Sequence, residues 1–214
     1  MHIPNDVKNS KVTIINIQFS RRAIFLSIKR FMDIFIALIA LLVTLPLMVV
    51  FGVLIILESN GSCFYSQTRV GKDGKLFTIY KLRSMYIDAE KGGPRWAQEN
   101  DPRVTKIGRY IRKTRIDEIP QLINIIKGDM SMVGPRPERP YYIHKFNKEI
   151  PEYNHRLTII PGLTGWAQVN GGYELSPREK LEKDLYYIKN QSIWLDFKII
   201  LKTIKIVLSG NGAR

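Results

Sequence analysis

Two adjacent carboxylates, Asp117 and Glu118, stand in the stretch TRIDEIPQLINIIKGDMSMVGPRPERP that runs from Thr114 to Pro140. Arg112, Lys113 and Arg115 lie just upstream, and Arg136 follows between Pro135 and Pro137. Taken alone the acid pair has an ordinary explanation. Asp favours helix N-caps, Glu in a first turn complements the helix dipole, and Pro120 is tolerated there. The basic company changes the reading towards acid chemistry beside a phosphate. Prolines on both sides stiffen the backbone around Arg136, which suits a guanidinium that meets a phosphate in a fixed geometry. For the upstream cluster, a solvated basic face stays equally open.

Several local signals outline the elements that must position these groups. CFYSQTRVG and KLFTIYKLRSM read as strands joined at Gly71-Lys72-Asp73-Gly74, a good hairpin signal. Residues 87–103, with Gly92-Gly93-Pro94, read as a polar mobile loop. A basic helix is expected over Val104–Thr114, and a second over Asp117–Lys127 with Gly128 as its stop. Pro161-Gly162-Leu163-Thr164-Gly165-Trp166 opens a loop-rich stretch. Ser176 caps a helix that has Pro177 first and Glu179 third. The last segment, Ile193–Leu208, is amphipathic, with Lys198, Lys202 and Lys205 on one face; it suits a helix lying on a membrane surface, and an ordinary core-packing helix remains as open.

The 24 residues from Ile34 to Leu57 carry no charge. That is enough to span a bilayer core of about 30 Å. Two features favour a segment that enters and leaves by the same face. Arg21, Arg22, Lys29 and Arg30 precede it, and Arg69, Lys72, Lys75, Lys81 and Arg83 follow it, so a spanning helix would place one basic cluster outside. Pro46 sits almost centrally, removes an amide donor and obstructs the carbonyl of Leu42, so a kink is expected. Each half is then roughly 18 Å long, too short to cross alone. Thr44 is expected to help satisfy the freed backbone groups. Asp33 is expected in a local ion pair with Lys29 or Arg30.

The 214 residues suffice for one domain with a real core. The net charge of +14 requires a negative partner: nucleic acid, anionic lipid or a phosphorylated substrate. Cys63 is the lone cysteine, which rules out an internal disulfide and a thiolate zinc site and reads as a buried small residue. His2, His144 and His155 lack metal-ligand spacing, and there is no phosphate-binding glycine loop, dinucleotide fingerprint or nucleophile elbow. Phe77, Tyr80 and Tyr86 could imitate an RNA-binding sheet, but the apolar insert argues against it and no nucleic-acid partner is expected. Residues 1–20 read as a loosely held N-terminal extension without secretory-signal features.

The chain resembles the bacterial sugar transferase family, the small monotopic polyprenyl-phosphate phosphoglycosyl transferases. The resemblance runs from about Lys29 to Arg214 through KRFMDIFIAL, QTRVGKDGKLFTIYKLRSM, RVTKIGRYIRKTRIDEIPQLINIIKGDMSMVGPRPE, PGLTGWAQVNG and KDLYYIKNQSIWLDFKIILKTIKIVL, in that order. It implies an α/β, mostly helical protein with a small β-hairpin. After the extension, residues 21–60 would form a re-entrant membrane helix broken at Pro46. Residues 61–214 would form a catalytic domain with interfacial helices at the cytoplasmic face of the bacterial inner membrane. The implied reaction moves a sugar 1-phosphate from a UDP-sugar to polyprenyl phosphate such as undecaprenyl phosphate, releasing UMP. Asp117 would be the nucleophile forming an acyl-phosphate, and Glu118 would hold Mg²⁺. Arg112 and Arg136 match positions used near the phosphates and acceptor; Lys81, Arg83 and Asp184 match further motif positions. The implied partners are a UDP-sugar, polyprenyl phosphate and the bilayer, with a homo-oligomer left open. A non-catalytic scaffold that retains the fold is the rival. Two departures stand out: Leu45 precedes Pro46 where relatives often have Ser, and Gly172 stands where an arginine is common.

Overall fold

The computed structural model describes residues 5–209 apart from 94, 96, 97 and 99; for residues 5–21 and 173 the backbone is described but not the side chains. Residues 1–4 of the expected extension, and Pro94 of the expected loop, lie outside the described residues.

One long helix, α1 (Asn5–Glu58), leads into the hairpin β1 (Phe64–Val70) and β2 (Leu76–Leu82). The strands pair antiparallel from Phe64↔Leu82 to Val70↔Leu76. Their turn uses Asp73 and Gly74 at positive φ, as the Asp-Gly signal predicts. Next come α2 (Lys106–Lys113), α3 (Gln121–Lys127), strand β3 (Ser131–Val133) and α4 (Pro140–Glu149). Strand β4 (Gly162–Thr164), the short α5 (Trp166–Val169), α6 (Pro177–Lys189) and α7 (Ile193–Ser209) follow. The described residues are thus mostly helical, with two small two-stranded sheets.

α1 remains helical through Pro46. Thr44 Oγ1 donates to the carbonyl of Ala40 (2.6 Å), one turn back, rather than serving the Leu42 carbonyl that Pro46 leaves without its donor. From Leu42 to Leu47 only Thr44 is even half-buried, while both flanks of this turn rest on the rest of the molecule. Before it, Arg30 donates to the carbonyls of Ile125 (2.6 Å) and Ile126 (2.8 Å), and Ala37 packs with Ile79, Leu122, Ile125 and Met130. After it, Ile55 packs with Leu82, Ile111 and Ile116, Phe51 stacks on Tyr110, and the Glu58 carboxylate accepts from the amides of Lys106 (2.7 Å) and Ile107 (2.9 Å). Those two amides are among the unpaired donors at the start of α2, so the end of one helix caps the next.

Asp33 makes the expected local ion pair with Lys29, at 4.0 Å, but its hydrogen bonds lie elsewhere. It accepts from Ser131 Oγ (2.7 Å) and the Met132 amide (3.0 Å), while Lys29 also donates to Asp196 of α7 (2.6 Å). Both groups are buried, and buried charges need hydrogen bonds that a loose neighbour cannot supply. α7 likewise differs from a single basic face. Trp194, Phe197, Leu201, Ile204 and Leu208 form an exposed apolar stripe at helical spacing. Lys202 turns inward to Asn170 (3.0 Å) and the ring of Trp166. Cys63 is half-buried beside Ile55 rather than fully enclosed.

Candidate active site

The acid pair does not start a helix. Arg115 adopts a left-handed conformation (φ +60°), and Ile116–Glu118 form a separate 3-10 turn ahead of α3. Pro120, which has no amide to donate, precedes the first residue of α3, where a missing donor costs nothing. No side chain caps either element, so the capping explanation for Asp117 fails. A left-handed non-glycine residue costs about 1–2 kcal/mol, and such strain clusters at functional sites.

α3 is seated on β2 by Asn124, whose side chain accepts from the Tyr80 amide (3.2 Å) and donates to the Thr78 carbonyl (2.7 Å). The helix ends at Gly128, whose φ of +97° is the left-handed stop expected of glycine. This seating brings Lys81 of β2 to the acid pair, with Nζ 2.8 Å from Glu118 Oε1 and 3.9 Å from Asp117 Oδ2.

Arg136 arrives on the other side. Strand β3 pairs parallel with β4, Ser131↔Gly162 and Val133↔Thr164, and the Gly162 amide donates to the Pro135 carbonyl (2.9 Å). The backbones are so close that a Cβ on Gly162 would lie 2.0 Å from the Gly134 nitrogen. The segment so held aims Arg136 at Glu118: Nη2 bonds Oε1, and Nη1 lies 3.4 Å from Oε2. Arg156, which lines no sequence motif, supports this from behind. It donates to the Arg136 carbonyl (3.0 Å) and to Asp184 Oδ2 (2.7 Å from Nη2 and 2.9 Å from Nε).

The two carboxylates are both buried, Asp117 at 6 % and Glu118 at 8 % exposure, yet their electrostatics diverge. Burial raises the pKa of each. For Glu118 the charges of Arg136 and Lys81 outweigh burial and hold the carboxyl well below its ordinary value. For Asp117 burial wins, with Lys81 opposing it and the Glu118 charge adding to it, so its pKa is raised. Arg112 and Arg115 also bear on Asp117. The result is an ionised glutamate paired with Arg136 and Lys81 beside a poorly solvated aspartate. A poorly solvated carboxylate is the better nucleophile of the two.

Of the residues singled out from sequence, Asp117, Glu118, Lys81 and Arg136 come together, with Arg112 close enough to act on Asp117 electrostatically. Arg83 lies elsewhere: it donates to the carbonyls of Ser59 (2.7 Å), Asn60 (2.8 Å) and Gly61 (3.3 Å), pinning the exit of α1. Asp184, 1 % exposed, is enclosed against Arg156 and reaches the site only through it. Pro46 stands on the exposed turn of α1. Arg156 had no local signal in sequence, whereas the adjacency of Arg115 to the pair was visible. Gln121 also escaped notice; it is fully buried one turn after Asp117, with neither carboxamide atom partnered.

The pair offers hard oxygen donors. Among the described residues there is no group of three or more metal-ligating side chains. That donor set fits Mg²⁺, which binds through one or two carboxylates together with phosphate oxygens and water. Arg136 and Lys81 already pair with Glu118 and would share it with such an ion.

Comparison with known proteins identifies the family. The model of the family described as "Bacterial sugar transferase" matches residues 24–210. The UDP-N-acetylgalactosamine-undecaprenyl-phosphate N-acetylgalactosaminephosphotransferase of Aeromonas hydrophila is 50 % identical over 194 residues, which cover 89 % of this chain and 46 % of that protein. A Bacillus subtilis (strain 168) protein, provisionally named an undecaprenyl-phosphate N-acetylgalactosaminyl 1-phosphate transferase, is 61 % identical over 137 residues, 64 % of this chain and 76 % of its own. The UDP-glucose:undecaprenyl-phosphate glucose-1-phosphate transferase of Escherichia coli (strain K12) is 41 % identical over 182 residues, 83 % of this chain and 39 % of that protein. The chain thus spans about half or less of the length of the Aeromonas and Escherichia relatives. With the family match running through both the apolar helix α1 and the acid pair, the chain belongs to the bacterial sugar transferase family.

Proposed function

We propose that this protein transfers a sugar 1-phosphate from a UDP-sugar to polyprenyl phosphate, giving a polyprenyl diphosphate sugar and UMP. The observation that carries the reading is the divided acid pair: Glu118 tied to Arg136 and Lys81, and Asp117 buried with a raised pKa beside it. An N-acetylhexosamine is the favoured sugar, because the relatives at 50 % and 61 % identity carry N-acetylgalactosamine in their names. The glucose- and galactose-named relatives lie at 36–43 %.

In the first step an Asp117 oxygen attacks the phosphorus that bears the sugar. The new P–O bond forms as the bond to the nucleoside phosphate breaks, and UMP departs with the electron pair. In the second step an oxygen of polyprenyl phosphate attacks the same phosphorus and Asp117 leaves as carboxylate. Splitting the transfer lets one carboxylate serve a water-soluble and a lipid substrate in turn. Lys81 and Arg136 orient the phosphate oxygens and offset their charge, and Arg112 adds positive potential on the Asp117 side. Mg²⁺ held by Glu118 would, when bound, neutralise charge on the diphosphate.

The same proposal places the enzyme on the cytoplasmic face of the bacterial inner membrane, with α1 entering and leaving by one face. Polar anchors support this at both ends of the apolar run: Arg30 and Asp33 before Pro46, Glu58 after it, all bonded to the same polar domain. A spanning helix would carry one set away from that domain. The exposed stripe of α7 adds a second apolar surface for the bilayer. Cysteines introduced near Arg22 and near Lys72 should be labelled from one side; labelling from opposite sides overturns the topology.

The transfer is tested by UMP release from a panel of UDP-sugars with polyprenyl phosphate, Mg²⁺ and detergent-solubilised protein, with Asp117→Asn beside it. Release with an N-acetylhexosamine donor, lost in the variant, is expected. Release undiminished in the variant removes Asp117 as nucleophile. Folded protein inert to every donor favours a non-catalytic scaffold.

A further inference from the structure

The proposed transfer needs positive charge in two places. Asp117 attacks the sugar-bearing phosphorus in line, so the departing phosphate sits on the far side of that atom from the aspartate. It gains negative charge as the P–O bond breaks. Lys81 and Arg136, paired with Glu118, serve the acid side of that phosphorus.

A second pair of guanidinium groups lies next to Arg136. The strand register sets Tyr65 opposite Lys81 and Arg69 opposite Phe77, so Tyr65, Gln67 and Arg69 share the face of the hairpin that carries Lys81. From that face Arg69 Nη1 donates to the carbonyl of Pro137 (2.9 Å), the residue after Arg136. Its Nε is buried without a partner, and its nearest carboxylate contact, Glu138, is 4.0 Å away. Arg139 follows two residues later. It is gripped by a fork: its Nη1 and Nη2 donate to Glu90 Oε1 (2.7 Å) and Oε2 (3.1 Å). Two parallel N–H···O bonds to two oxygens of one group is also the geometry in which arginine binds a phosphate. Arg69 feels the crowding. Burial lowers its pKa most, and the charges of Arg136 and Arg139 lower it further against the pull of Glu138. Both side chains stay partly exposed, Arg69 at 19 % and Arg139 at 17 %, so an incoming anion can reach them.

We propose that Arg69 and Arg139 bind the nucleoside phosphate that leaves in the first step, and that Glu90 occupies Arg139 as an internal stand-in until the donor displaces it. This rests on the transfer reaction proposed above. Arg69 is the permanent arm, fixed to the backbone that carries Arg136. Arg139 is the exchangeable one, passing from carboxylate to phosphate without a change in its own bonding pattern. The exchange keeps the arginine paired at all times and so avoids an uncompensated charge in a half-buried place.

The test is equilibrium binding of UMP and of uridine to the detergent-solubilised full chain, with thermal melting to show that each variant is folded. Wild-type protein should bind UMP more tightly than uridine. Arg69→Gln and Arg139→Gln should each weaken UMP by about tenfold or more, the scale of a lost charge-assisted hydrogen bond, and leave uridine unchanged. Arg69→Lys should recover part of the loss. Glu90→Gln should strengthen UMP binding, which a purely structural ion pair would not do. UMP affinity unchanged in both arginine variants, or weakened by Glu90→Gln, overturns the inference. A wild-type chain that releases UMP from a UDP-sugar while these variants bind UMP normally sinks this inference alone. A wild-type chain that neither releases nor binds UMP sinks the transfer reading with it.

Discussion

Replacing Arg136 by Met removes both contacts to Glu118 while keeping a side chain of similar reach. Glu118 then stays buried, with Lys81 still paired to it at 2.8 Å. Breaking a buried ion pair costs about 3–5 kcal/mol, and losing one charge-assisted hydrogen bond about 1.5–3 kcal/mol. Because Lys81 remains, the expected loss lies where these ranges meet, about 3 kcal/mol of stability. The same ~3 kcal/mol withdrawn from a transition state is about a 150-fold fall in kcat/KM. The pH response has a definite sign. The Glu118 carboxyl is held well below its ordinary value, because Arg136 and Lys81 outweigh burial. A carboxyl depressed in the folded protein adds stability above its unfolded pKa and loses it as pH falls through the folded value. Without Arg136, burial is opposed mainly by Lys81, the folded pKa rises, the stability lost on acidification becomes smaller, and Glu118 takes its proton at higher pH. Followed from pH 8 down to pH 4, UMP release should show the acid limb of the variant displaced upward and thermal melting a shallower acid loss, with Arg136→Lys in between. A variant with wild-type melting and an unmoved acid limb would show that Arg136 does not hold Glu118 and refute the charge assignment of the site.

Asp117→Asn should abolish UMP release while raising the melting temperature. Burial raises the Asp117 pKa, so its ionised form opposes folding above that pKa and ceases to do so in acid; the gain should therefore be larger at pH 8 than at pH 4, and an equal or negative change would count against it. Gly162→Ala should destabilise severely, because its Cβ would lie 2.0 Å from the Gly134 nitrogen and 2.4 Å from the Thr164 carbonyl oxygen; a variant that melts normally would mean that β3 and β4 are not so closely paired. Asp184→Ala leaves Arg156 buried without its chief partner and should cost about 3–5 kcal/mol, read by melting, with activity falling as the Arg136 backbone loosens.

Much of the molecule was legible from short stretches of chain. The Asp73-Gly74 turn, the capping box at Ser176 and Glu179, the stop at Gly128 and the apolar run of α1 depend on a few contiguous residues each. The expected helix over Asp117–Lys127 divided in two, because Pro120 has no amide to carry the hydrogen-bond ladder from the acid-pair turn into α3. The inward turn of Lys202 was hidden because helical periodicity places a side chain on a face but does not say what packs there.

The sequence by itself determined the local elements, the length of the apolar run in α1 and the presence of an acid pair among basic residues. Backbone sterics, capping and hydrophobic run length act over a turn or two of chain. Only the tertiary structure decided the division of labour. It brought Lys81 to both carboxylates, closer to Glu118, set Arg136 on Glu118, matched Asp184 with Arg156, and gave Asp33 to Ser131, 98 residues away. Those pairings follow from distance and burial. Coulomb attraction falls with separation and grows as water is excluded, and both quantities are set by how remote segments pack.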